Sequence, residues 1–159
     1  MTDLSPLTES RDLDDLYQSV ILDHNKTPRN FRELPPPASH ADGHNPLCGD
    51  RLTVWVDVDG ATVKDVTFLG NGCAISKASA SMMTAAVKGK SRADAMALAD
   101  EFQKLVTGKL DGAAERKALG KLQALAGVSD YPVRVKCASL AWHTLKAALA
   151  GAAEPISTE

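Results

Sequence analysis

Apolar residues recur every three to four positions from Leu13 to His24, with Leu13, Leu16, Tyr17, Val20 and Ile21 on one face, which predicts an amphipathic helix. Asp12, with Asp15 three residues on, suits its first turn, where carboxylates accept from free N–H groups, and Pro28 closes it. The period then changes to two. Leu52, Val54, Val56 and Val58 alternate with polar residues, the signature of a half-buried strand. Asp59-Gly60 supplies a two-residue turn, and a return strand runs to about Leu69 with Val66 and Phe68 on one face. Val63 is out of phase with them, which predicts a bulge. Gly70-Asn71-Gly72 breaks the chain. Beyond it the helical period returns: an Ala- and Ser-rich helix from Ala74 to Gly89, then one reaching about Val106 with Met96, Ala99, Phe102 and Val106 as its stripe. Ser91 and Asp94 form a capping box at the start of the latter, with Asp in place of Glu. A short helix over Ala113–Ala126 is expected to stop at Gly127, and a last one follows Tyr131-Pro132 to about Ala150. This order predicts an α+β fold, a small antiparallel β-sheet covered by helices on one side.

Residues 25–47 hold Pro28, Pro35, Pro36, Pro37 and Pro46, and on that ground are expected to be neither helix nor central strand but a long, functional or mobile connection carrying His40 and His44. Residues 1–11 are expected to be a disordered leader, 12–150 a single domain and 151–159 a disordered tail.

Bulk chemistry narrows the function classes. With a net charge of −2 and a pI near 6.1, the chain has no general pull toward nucleic acid or anionic membrane. No basic run interleaved with aromatics points to nucleic acid. The acidic N-terminus lacks the apolar core of a secretory signal, and no apolar run is long enough to span a bilayer, so a cytoplasmic protein is expected. In that reducing compartment the 3 cysteines do not form a disulfide framework. Taken singly, each is most simply a small buried hydrophobe.

Their positions change that reading. Cys48, in Pro46-Leu-Cys48-Gly-Asp50, precedes the first strand of the hairpin; Cys73 follows its second strand. A hairpin brings its first residue beside its last, so the two meet at one sheet end. Cys137 shares the apolar face of the last helix with Leu140, Ala141, Thr144 and Leu145, so it points inward. Gly49 permits the turn that aims Cys48 and Asp50 at one point. Three thiolates and a carboxylate make a tetrahedral donor set suited to Zn²⁺, although thiolates equally favour iron and Fe–S clusters. Arg51, Lys77, Arg134 and Lys136 lie near the ligands in sequence and can offset their charge, or can simply be solvated surface groups. His24, at a helix end, suits the dipole as an imidazolium, His143 reads as a helix surface or interface residue, and Met82 and Met83 read as core filling.

Three ordered motifs carry a resemblance: Cys48-Gly-Asp50; Gly72-Cys73-Ala-Ile-Ser-Lys-Ala-Ser-Ala-Ser-Met-Met-Thr84; and Arg134-Val-Lys136-Cys137-Ala-Ser-Leu-Ala-Trp142. Together with Ile21-Leu22-Asp23-His24 and Pro28-Arg-Asn30, they resemble the IscU/NifU-like scaffold family over about residues 12–150. Two features resemble its SufU branch: Lys136 stands where IscU-type scaffolds carry His, and residues 90–127 hold an extra helical insertion. The resemblance implies a metal site of Cys48, Asp50, Cys73 and Cys137, with zinc as the ion (iron or an Fe–S cluster in the alternative). It implies a sulfur acceptor that stimulates a cysteine desulfurase of the SufS type and hands sulfur to downstream Fe–S assembly proteins. It further implies Cys48 as the acceptor, released when a desulfurase histidine takes its place on the metal, with Arg134 and Lys136 in support. The alternative it leaves is a scaffold on which a cluster is assembled or carried.

Overall fold

The computed structural model describes residues 17–110, 112–151 and 156–157. The expected leader, residues 1–11, and the first turn with Leu13 and Leu16 lie outside these. Helix α1 covers residues 17–26, two residues past His24, and leans Tyr17, Val20 and Ile21 against the core.

Three strands, β1 (Ser39–Asn45), β2 (Asp50–Asp59) and β3 (Thr62–Asn71), pair antiparallel in the order β3-β2-β1. Ile156–Ser157, within the tail expected to be disordered, adds a two-residue strand, β4, parallel to β1. β1 corrects the expectation that residues 25–47 form irregular connection throughout. Its prolines flank the strand at Pro37 and Pro46 rather than interrupting it, so no ladder N–H is lost. Ala41, Gly43 and Asn45 face the helices, while His40, Asp42 and His44 face away. The bulge is present: Asp57 pairs with Asp65 but Val58 with Val63, leaving Lys64 unpaired and returning Val63 to the buried face with Val66 and Phe68. The turn lies one residue later than expected, at Gly60-Ala61, because Asp59 still pairs with Thr62.

The helices cover one face of the sheet: α2 (Ala74–Val87), α3 (Arg92–Val106), α4 (Ala113–Ala118) and α5 (Pro132–Ala150). Ser91 caps α3, its Oγ accepting from the Asp94 N–H at 3.0 Å. The buried stripe of α3 is Ala95, Ala99, Phe102 and Val106, with Met96 at its edge. The helix expected over Ala113–Ala126 instead ends at Ala118 and gives way to a 3-10 helix, Gly120–Asp130. Gly120 is left-handed (φ +56°), which an α-helix does not accommodate. Beyond it Leu122, Leu125 and Val128 recur every third residue, the period that puts one buried face on a 3-10 turn. α5 starts with Pro132 at its first position and stops at left-handed Gly151.

The small side chains of α2 let α5 lie against it. Trp142 stacks on Phe102 at 4.5 Å, and its Nε1 donates to Ser79 Oγ at 3.2 Å. Ser79 in turn donates to the Ala138 carbonyl at 2.6 Å. Met82 and Met83 fill the core. Among the described residues no helix is long and apolar enough to cross a membrane.

Candidate metal centre

The end of the sheet where β1 meets β2 is built by the four-residue turn 46–49. Asn45 pairs with Asp50, and the Gly49 N–H closes the turn on the Asn45 carbonyl at 2.8 Å. Gly49 has φ +72°, a conformation that side chains disfavour, and it sets Cys48 and Asp50 on the same side. At the other edge of the hairpin Arg51 pairs with Asn71, so the chain leaves β3 beside Asp50. Gly72 is required there, since a Cβ on it would sit 2.6 Å from Asp50 Oδ1. Cys73 follows as the N-cap of α2, its Sγ accepting from the Ser76 N–H at 3.4 Å. Helix N-termini favour negative charge, so a thiolate suits this position. Cys137, in the second turn of α5, comes down on the same spot.

Three of the four predicted residues converge. Cys48, Asp50 and Cys137 offer ligand atoms all within 4.8 Å of one another, with the two sulfurs 3.3 Å apart. Cys73 stands outside that mutual set, its Sγ 4.0 Å from Asp50 Oδ2. Thiolates held about 2.3 Å from a tetrahedral cation stand about 3.8 Å apart, so the observed separations suit a metal of that size. Exposure is graded: Cys48 is exposed, Cys73 half-buried, Cys137 2% and Asp50 0% exposed. Burial first, then the crowding of Cys48, Asp50 and Cys73, pushes the Cys137 thiol far above its ordinary value. A cation answers this difficulty, because it stabilises the deprotonated donors that otherwise repel one another. The residues present therefore fit a thiolate-rich metal site.

The basic residues named from the sequence form no ion pair with Asp50. Arg134 is exposed and lies over the Tyr131 ring at 4.8 Å, and Lys77 lies over Phe31 at 5.3 Å. Among the described residues neither they nor Arg51 nor Lys136 makes an ion pair. Asp50 takes its hydrogen bonds instead from the Cys73 N–H at 2.8 Å and from Asn45 Nδ2 at 3.3 Å.

The histidines sort clearly. His40 and His44 sit on the open face of the sheet, His40 beside Trp55, away from the sulfurs. The expectation that His24 carries charge is overturned: it is buried, with Nδ1 2.7 Å from Ser81 Oγ. That hydroxyl accepts from the Arg29 N–H at 2.8 Å. Burial, reinforced by the Arg29 charge, holds His24 below the ordinary histidine value. His143 is half-buried on α5 and is likewise held down by burial.

Asn45 was not singled out in the sequence, yet it is fully buried at the centre of the cluster. The signal available was the alternation Ala41, Gly43, Asn45, hidden by the surrounding prolines.

The comparisons with known proteins agree with this architecture. The chain is 45% identical over 139 residues to the zinc-dependent sulfurtransferase SufU of Bacillus subtilis, covering 87% of this chain and 92% of that protein. It is 44% identical over 143 residues to the iron–sulfur cluster assembly scaffold protein IscU of Streptococcus pyogenes, covering 86% and 84%. A crystal structure from Fervidobacterium islandicum AW-1, assigned to an iron–sulfur cluster assembly scaffold protein for the SUF system, superposes with a TM-score of 0.75 at 33% identity, covering 82% of this chain and 93% of that one. With the profile of the NifU-like N-terminal domain matching residues 16–138 as well, the chain belongs to the NifU-like N-terminal domain family.

Proposed function

We propose that this chain is a zinc-dependent sulfur-transfer protein of iron–sulfur cluster assembly, accepting sulfur on Cys48 from a cysteine desulfurase of the SufS type and passing it to downstream assembly proteins in the cytoplasm. One observation carries the reading: within a single donor cluster Cys48 is exposed while Cys73 is half-buried and Asp50 and Cys137 are buried. Zinc, held by Cys48, Asp50, Cys73 and Cys137, supplies the positive charge that keeps these donors deprotonated. The remaining chemistry belongs to the chain. Cys48 sits on a turn at the mouth of a groove of about 670 Å³, edged by exposed Leu22, Tyr131 and Val133. That rim suits the apolar centre of a protein interface. Arg134, spread on Tyr131 beside the groove, offers an adjacent positive charge to the partner.

In the transfer step the Cys48 thiolate attacks the terminal sulfur of the donor persulfide. A sulfur–sulfur bond forms on Cys48, the donor's sulfur–sulfur bond breaks, and the donor cysteine leaves as a thiolate. No external oxidant or reductant is consumed. Asp50 and Cys137 are buried, and Cys73 is tied to the first turn of α2, so Cys48 is the donor free to move.

A second reading, a scaffold for an Fe–S cluster, is favoured by the likeness to the streptococcal IscU and by the affinity of thiolates for iron. Against it, Lys136 precedes Cys137, and none of the four histidines stands at the cluster. Elemental analysis of the purified protein, paired with desulfurase turnover, tests the choice. One equivalent of zinc and faster turnover are expected. A protein that leaves turnover unchanged and gains visible Fe–S absorbance on anaerobic reconstitution overturns the proposal in favour of the scaffold.

A further inference from the structure

Asn45 donates from Nδ2 to both buried members of the cluster, Asp50 Oδ2 at 3.3 Å and Cys137 Sγ at 3.5 Å. Its Oδ1 accepts from the Leu47 N–H at 3.3 Å, and its carbonyl accepts from the Gly49 N–H. The orientation of the amide is forced, because a backbone N–H only donates and a carboxylate only accepts. The Nδ2 group carries two protons and has two acceptors within reach, Asp50 and Cys137. A single side chain therefore ties together the two donors that stay and the turn bearing the one that leaves.

We propose that Asn45 is a positioning residue for the metal centre, locking Asp50 and Cys137 in ligating geometry independently of Cys48. This rests on the metal-binding part of the proposed function. Outer-shell hydrogen bonds orient ligands, and their loss typically costs about 10–100-fold in metal affinity. The lock also gives Cys48 its freedom: Asn45 holds the inner pair and Ser76 holds Cys73, so three donors that would bind the ion stay in place without Cys48.

Two substitutions separate the positioning role from a purely structural one. Asn45→Asp keeps an oxygen for the Leu47 N–H but turns an acceptor toward Asp50 and Cys137. Asn45→Ser keeps a short hydroxyl for the turn and cannot reach either donor. Zn²⁺ affinity is measured by competition with a chromophoric chelator on wild type and both variants, and Co²⁺ absorption reports the ligand field. The expected result is a fall of about 10–100-fold in Zn²⁺ affinity for both variants, with an altered Co²⁺ spectrum and a metal-free form that still unfolds cooperatively. Affinities within twofold of wild type and an unchanged Co²⁺ spectrum, in either folded variant, overturn the proposal. If Asn45→Asp does not fold, Asn45→Ser is judged by the same readings; if neither folds, Asn45 is structural and the proposal is wrong. Failure of wild type itself to bind Zn²⁺ instead refutes the proposed function.

Discussion

Replacing Cys48 by Ala should abolish sulfur transfer while leaving the metal-free fold almost untouched. Cys48 is exposed on a turn, and its recorded side-chain contact is the Cys137 sulfur at 3.3 Å. Substitutions at such surface positions usually stay within about 0.5 kcal/mol. For a chain of this size 1 kcal/mol corresponds to about 2–4 °C, so the metal-free melting temperature should move by only about 1–2 °C. The functional effect is of another order. Without a thiolate at the mouth of the groove, no nucleophile reaches the donor sulfur, because Cys137 is 2% exposed and Cys73 is engaged by the first turn of α2. The assay follows desulfurase turnover at saturating zinc, then maps persulfide by alkylation and mass spectrometry. Turnover should return to the rate of the desulfurase alone, and no persulfide should form on this chain. Retained stimulation, or sulfur carried on Cys73 or Cys137 in the variant, would falsify the assignment of Cys48.

Other consequences follow from the same geometry. Chelation should lower the melting temperature: free zinc a thousandfold above its Kd stabilises by about 4.1 kcal/mol, or about 8–16 °C here, and an unchanged transition after verified metal loss contradicts a zinc-braced fold. Gly72→Ala drives a methyl into Asp50 Oδ1 at 2.6 Å, and should cost about 1–3 kcal/mol in denaturant unfolding and weaken zinc binding. His24 is held below the ordinary histidine value of 6.5, so the unfolded chain binds a proton that the folded chain resists. Its contribution is thus complete above pH 6.5 and is lost as the pH falls below it. Melting temperatures of wild type and His24→Gln between pH 8 and 5 check this: wild type should fall more steeply, and parallel curves refute it.

Much of the fold was legible in the chain because the physics involved is local. The alternation from Leu52 to Val58 follows from the two-residue period of a strand, and the displaced Val63 gave away its bulge. Ser91 with Asp94, and Pro132, mark helix starts because the free N–H groups there demand partners, or a residue that lacks one, within a few positions. The gathering of Cys48, Asp50 and Cys137, with Cys73 beside Asp50, was readable for a related reason: a hairpin must return to its start, and a helical stripe must face the core.

What the tertiary structure alone decided depends on partners far along the chain. β1 exists because Ser39–Asn45 finds β2, and a proline count cannot reveal that the prolines stand at its ends. His24 is held below the ordinary histidine value because it is buried, beside Ser81 57 residues away, whereas its place at a helix end suggested charge. Arg134 stacks on Tyr131 rather than serving the carboxylate, and Asn45 reaches Cys137 across 92 residues. Periodicity and capping report what a residue meets within a turn or two. Burial and long-range hydrogen bonding depend on which surfaces come together, and these set the protonation, orientation and mobility of the groups at the metal centre.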